Sequence, residues 1–201
     1  MNKKIEQLKL KAASLTRQTH DLGIPVMIVF EGVPASGKTR LSNELLLTFD
    51  AKYTQFISTK TPDVEDLRYQ FLQKYWNTLP QKGNINIYFR SWYSHFLDYK
   101  QNNIKQDYYK NDNKLVNQIK HFEEMLQNDH YELIKFYIEV SEEKRQEHIQ
   151  QTKDNPLMSW KVQEYEQIIP KDIYLKEMRK FTHSDKQWEV IDYTQREVAF
   201  E

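Results

Sequence analysis

The chain has 201 residues, 29 of them basic and 29 acidic, with six histidines and no cysteine. That length suits one domain with a sizeable core, while balanced charge gives no global field for nucleic acid or a membrane surface, and zero Cys excludes disulfides and thiolate metal sites. Hydrophobic residues reach only 39%, so 13 Tyr, 10 Phe and 4 Trp must supply much of the buried apolar area.

The first predicted element is a helix over 3–20. Ile5, Leu8, Ala12 and Leu15 recur at i, i+3, i+7 and i+10, and Lys3, Lys4, Lys9, Lys11 and Arg17 make a basic face that reads as solvated. The N-terminus has no apolar leader, and no run approaches the ~20 residues that span a bilayer, which points to a cytoplasmic protein without membrane association. The apolar run Ile24 to Phe30 predicts a strand near 25–31. Immediately after it, Gly32, Gly37, Lys38 and Thr39 satisfy the spacing G-x-x-x-x-G-K-[ST], and a helix is predicted over 38–49. A strand, this loop and a helix together make a phosphate-binding P-loop. Its glycines allow a tight turn whose N–H groups converge on an anion, Lys38 adds a point charge, the Thr39 hydroxyl is a candidate Mg²⁺ ligand, and the helix N-terminus faces the phosphate. The candidate phosphate-binding residues of the loop are Gly32, Ala35, Ser36, Gly37, Lys38 and Thr39.

Further strands are predicted near 53–58, 84–89, 132–140 and 187–192. Helices are predicted near 63–76, 91–108, 113–128, 142–152 and 161–180, with Thr61-Pro62-Asp63 and Ser141-Glu142-Glu143 as start signals. Alternating strands and helices predict an α/β fold: a doubly wound parallel sheet of about five strands with flanking helices. The polar stretch from Gln101 to Asn113 reads as a helix end and loop, with no repeat or domain linker anywhere, so residues 1–201 read as one domain. The strand near 84–89 runs into Arg90 and Ser91 at the carboxyl edge of the sheet, where doubly wound folds bind ligands and where an Arg can reach a phosphate. The six histidines form no metal-binding spacing, Ser94-His95 lacks a nucleophile elbow, and Asn111 to Lys114 has the wrong order for a guanine signature.

Several segments together resemble the polyphosphate kinase 2 family, P-loop enzymes that move phosphoryl groups between inorganic polyphosphate and nucleotides. They are Phe30-Glu31-Gly32 with Gly37-Lys38, Lys74-Tyr75-Trp76, Leu79-Pro80, Arg90-Ser91-Trp92-Tyr93, Leu133 to Phe136, Asn155-Pro156 with Trp160-Lys161, and Trp188. The resemblance implies a P-loop kinase-like fold with a helical lid near 142–165, and Mg²⁺ as cofactor. It also implies polyphosphate and a nucleotide of the AMP/ADP or GDP class as partners, and it leaves a homo-oligomer open. Lys38 would hold the transferring phosphates, Arg90 would help bind the phosphoryl group, and Lys74 and Lys161 would be further cations of the site, Lys161 from the lid. The chain departs from the family's E-G-x-D-A-A-G-K-G and F-D-R-S-W-Y at two acidic positions, now Pro34 and Phe89, and has Thr39 where Gly is common. His148 and Thr152 fall where lid arginines are expected, with Lys144, Arg145 and Lys153 as substitutes. These departures leave three readings: an altered but active enzyme with Glu31, Asp63, Glu65 or Asp66 acting on the metal through water; a module that binds nucleotide or polyphosphate without turnover; and a small-acceptor nucleotide kinase, against which the Trp92-Tyr93 and lid patterns count.

Overall fold

A computed structural model describes residues 3–101, 112–162, 171–184 and 187–194. Five parallel strands form one sheet in the order β2-β3-β1-β4-β5: β1 Val26–Gly32, β2 Thr54–Ser58, β3 Ile85–Phe89, β4 Glu132–Glu139 and β5 Trp188–Asp192. The helices of the described residues are α1 Lys3–Asp21, α2 Lys38–Thr48, α3 Gln73–Trp76, α4 Trp92–Gln101, α5 Asp112–Asn128, α6 Glu142–Asp154 and α7 Lys171–Ser184. None is long and apolar enough to cross a membrane.

β1 is buried along its whole length, as the central strand of a sheet covered on both faces must be. Period-2 alternation then splits its side chains. Val26, Ile28 and Phe30 join Leu41 of α2 and Tyr193 on one face. Met27 and Val29 point to the other, packing in the large aromatic core of Tyr75, Trp92, Tyr93, Phe96, Phe122 and Met178 beneath α3, α4, α5 and α7. Glu31 is next in that second series, so the alternation that buries Met27 and Val29 drives a carboxylate into the same face.

The register sets Phe30 opposite both Phe89 and Phe136, which brings the carboxyl ends of β3, β1 and β4 to one edge. The P-loop leaves that edge from β1, and Arg90 leaves it from the neighbouring β3.

Two sequence expectations are corrected. The helix expected over 63–76 is a 3-10 turn at Asp66–Arg68 followed, after extended Tyr69, by α3. The Asp63 carboxylate accepts from the amides of Glu65 and Asp66, both at 2.9 Å, which tightens the turn. The adjacent Phe71 and Leu72 are then both buried, a demand that a one-sided surface helix does not meet. The basic face of α1 is not wholly solvated, because Lys9 pairs with Glu44 of α2. Of the helices expected over 91–108 and 161–180, residues 102–108 and 163–170 lie outside the described residues, as do 163–165 of the expected lid.

Candidate phosphate-binding site

The P-loop backbone takes positive φ at three points, two of them glycines. Gly32 has φ 148°, and a Cβ there would lie 2.6 Å from the Ile138 carbonyl oxygen. Ala35 adopts φ 63° and Gly37 φ 101°, with the Tyr193 ring filling the space a Gly37 side chain would need. Gly37 is the N-cap of α2 and offers no side-chain acceptor, so the first amides of that helix remain available to an anion. Ser36 reinforces this: its hydroxyl is buried in the loop without a hydrogen-bond partner among the described residues.

Lys38 turns its ammonium back onto the loop, donating to the carbonyls of Gly32 and, at 2.9 Å, Val33. The Phe89 ring lies beside it, 5.6 Å from centroid to Nζ. Burial dominates its electrostatics and lowers the amine from 10.5 to about 7; the Glu31 charge raises it in part, and the Arg90 charge lowers it further. Glu31 and Arg90 therefore both lie close enough to Lys38 for their charges to act on it. The Thr39 side chain, on the first turn of α2, is exposed.

Arg90 has φ 60° and donates its amide to Phe30 O at 3.2 Å. Its guanidinium pairs at 2.6 Å with Asp98 of α4, a carboxylate the sequence did not single out. Burial raises the Asp98 pKa, with Arg90 opposing. Lys74 pairs with Asp66 at 3.3 Å and, with Asp63, Ser58, Thr59 and Lys60, lines a cleft of about 410 Å³ beside the same edge. Lys161 stands apart: its ammonium lies 5.5 Å from the centre of the Trp160 ring, and among the described residues no hydrogen bond or ion pair joins it to the P-loop.

Glu31 is fully buried. Its Oε1 accepts from Ser91 N (2.7 Å), Ser91 Oγ (2.8 Å) and Ser94 N (3.2 Å), and its Oε2 accepts from Ser94 Oγ (2.6 Å) and Tyr174 OH (2.7 Å). Five donors leave this carboxylate an organiser of the α4 N-terminus rather than an open metal ligand. Ser91 and Ser94, three residues apart at a helix start, could have suggested such an acceptor; Tyr174 carried no sequence signal.

The Trp92-Tyr93 pair serves the scaffold. Trp92 Nε1 and Tyr93 OH donate to Glu123 Oε1 at 2.9 and 2.7 Å, and Lys135 pairs with Glu123 Oε2 at 2.8 Å. On the outer side of the loop, α6 supplies two contacts. Arg145 Nε donates to Pro34 O at 3.1 Å, and His148 Nδ1 to Ala35 O at 3.0 Å. Lys144 instead pairs with Glu147, and the Thr152 hydroxyl donates to the His148 carbonyl.

A crystal structure of polyphosphate kinase 2 from Arthrobacter aurescens superposes with a TM-score of 0.81 at 15% identity, covering 98% of this chain and 72% of that one, which shows the fold. The polyphosphate:AMP phosphotransferase of Pseudomonas aeruginosa is 27% identical over 139 residues, 69% of this chain and 27% of that protein. The AMP/ADP-polyphosphate phosphotransferase of Meiothermus ruber is 25% identical over 137 residues, 68% of this chain and 50% of that protein. The chain thus spans half or less of the length of these two curated relatives. The sequence model described as Polyphosphate kinase 2 matches residues 1–199, and with a P-loop, a neighbouring basic edge and the parallel sheet beneath them in place, the chain belongs to the polyphosphate kinase 2 family.

Proposed function

We propose that the chain transfers phosphoryl groups between inorganic polyphosphate and a nucleotide of the AMP/ADP or GDP class, as a single cytoplasmic domain with a lid near 142–165. The observation that carries this reading is Lys38, an ammonium buried in the P-loop that among the described residues donates only to main-chain carbonyls, at the edge from which Arg90 also projects. A phosphate offers that amine a full negative charge in place of two carbonyl dipoles, so binding draws it off Gly32 and Val33 and favours its charged form. The α2 amides and Ser36 hold further phosphate oxygens. Arg90 then faces a choice between Asp98 and the anion, and Lys161 meets the phosphates when the lid covers them. The loop excludes water while the carboxyl edge aligns donor and acceptor, the larger part of phosphoryl-transfer catalysis.

The donor set fits Mg²⁺ in one way. No group of three or more His, Asp or Glu suited to a metal exists among the described residues, and Glu31 is engaged by five donors. Thr39 would be the protein's ligand to the ion, with phosphate oxygens and water supplying the rest, a shell that Mg²⁺ tolerates readily. When bound, the ion would offset charge on the transferring phosphoryl group.

A second reading, a module that binds without turnover, is favoured by Phe89, whose ring occupies the side of Lys38 where the family usually carries a carboxylate. Incubation with polyphosphate, Mg²⁺ and each nucleoside mono- and diphosphate, followed by separation of products, decides between them. New nucleotide phosphates support the transferase; binding by calorimetry without product supports the module; neither binding nor product sinks both.

A further inference from the structure

The first P-loop amide is not directed at a ligand. Gly32 N donates at 2.8 Å to the hydroxyl of Tyr174, on the first turn of α7, and that hydroxyl donates its own proton to Glu31 Oε2 at 2.7 Å. One buried oxygen thus joins two consecutive residues at the end of β1, while the other Glu31 contacts fasten the N-terminus of α4. Burial, and secondarily the Glu31 charge, raise the Tyr174 pKa well above the ordinary tyrosine value, so the hydroxyl keeps its proton across the physiological range. Along the chain, α6 and α7 flank residues 155–170. The helix before that segment holds the loop through Arg145 to Pro34 O and His148 to Ala35 O, and the helix after it holds the loop through Tyr174.

We propose that Tyr174 is a positioning residue for phosphate binding: its hydroxyl fixes the start of the P-loop and ties it to α7. The proposal rests on the phosphate-binding part of the reading above, but its structural half can be tested apart from it. Without the hydroxyl, Gly32 loses its acceptor and Glu31 one of five donors, and the turn from Gly32 to Gly37 samples arrangements in which its amides no longer converge. A removed hydroxyl also weakens any fold, so a control is required. Tyr137 of β4 supplies it: a fully buried tyrosine opposite Glu31 on the neighbouring strand, whose hydroxyl has no hydrogen-bond partner among the described residues.

The experiment compares the parent chain, Tyr174→Phe and Tyr137→Phe by residue-resolved amide hydrogen exchange and by calorimetric titration with inorganic triphosphate. We expect Tyr174→Phe to raise exchange at least tenfold at residues 32, 33 and 35–37, Pro34 having no amide hydrogen, while Met27 to Phe30 stay protected, and to weaken triphosphate binding about tenfold. Tyr137→Phe should change neither. Unchanged exchange at Gly32, or a rise spread equally through β1, overturns the proposal. Equal triphosphate affinity in parent and Tyr174→Phe overturns it also. If the parent binds no triphosphate, the phosphate reading fails and the link to binding with it, while the exchange pattern still decides whether Tyr174 fixes the loop.

Discussion

An ammonium buried among carbonyls and an aromatic ring is disfavoured in its charged form, and at Lys38 this makes phosphate binding depend on pH. The folded value is about 7 against 10.5 for an ordinary lysine. Between those values only the unfolded chain keeps the proton, so the stability of the ligand-free protein rises with pH from about 7 toward 10.5, and the penalty is fully present below pH 7. Binding of an anion runs the opposite way, because it needs the charged amine. We expect triphosphate affinity to fall by up to about tenfold per unit as pH rises above 7, and Lys38→Met to abolish that slope while losing the charge-assisted bonds, roughly 1.5–3 kcal/mol each. A parent affinity flat from pH 6 to 9 would refute this account of Lys38. Phe89 supplies a paired test. Phe89→Asp replaces the ring beside Lys38 with a carboxylate, which should move the pH at which affinity falls upward by a unit or more, on the order of the 1–3 units an adjacent opposite charge produces, and raise Mg²⁺-dependent transfer. Urea unfolding must first confirm the fold, since Phe89 also contacts Phe56. The motif residues were legible because P-loop chemistry fixes their spacing. Asp98 and Tyr174 were not, because what makes them partners of Arg90 and Gly32 is tertiary placement, which no local pattern encodes.

Elements were legible in proportion to how far their own residues decide them. β1 and β3 are apolar or alternating runs buried almost throughout by the sheet, β4 is buried in part, and the edge strands β2 and β5 stay mostly exposed or half-buried, while Ser141 caps α6 by accepting from Lys144 N at 3.2 Å, as a helix start signal should. The segment 63–76 failed because the Asp63 carboxylate offers the backbone a local alternative to a helix, a competition that hydrophobic periodicity does not register. Helix α4 raises a different question, since its Asp98 holds the Arg90 side chain that the sequence assigned to phosphate. The pair is well buried, with side-chain exposures of 14% and 4%. Breaking such a pair from one side leaves an uncompensated charge, and Asp98→Asn should destabilise the ligand-free fold by about 3 kcal/mol. The same change releases the guanidinium toward the P-loop edge, so polyphosphate affinity should rise while stability falls. Denaturant unfolding and calorimetric titration of one preparation read both signs. A loss of stability and affinity together would mean that the ion pair holds Arg90 in its binding position instead of withholding it.

At the scale of the whole molecule, the sheet separates a small face around α2 from a large aromatic one, and the large face carries an acid-sensitive residue. His95 of α4 is almost fully buried among Phe71, Tyr75 and Tyr99, and among the described residues neither ring nitrogen has a hydrogen-bond partner. Desolvation, aided by the charges of Lys74 and Arg90, lowers its pKa from 6.5 to about 2. Below pH 6.5 the unfolded chain therefore takes up a proton that the folded chain refuses, and stability is lost continuously as pH falls toward 2. At pH 5 the difference from the ordinary value is about 1.5 units, or about 2 kcal/mol at 1.36 kcal/mol per unit, and because pH 5 is far above the folded value the depth of the shift does not alter that figure. Other carboxylates and histidines add their own acid dependence, but they do so equally in a variant that lacks only this ring. His95→Leu keeps an apolar side chain of similar volume in the aromatic nest and removes two orphaned nitrogens. The drop in unfolding free energy between pH 7 and pH 5 should thus be about 2 kcal/mol smaller in His95→Leu than in the parent. Urea titrations at the two pH values measure it, and identical drops in the two proteins would show that His95 either takes up its proton in the folded state or finds a partner there.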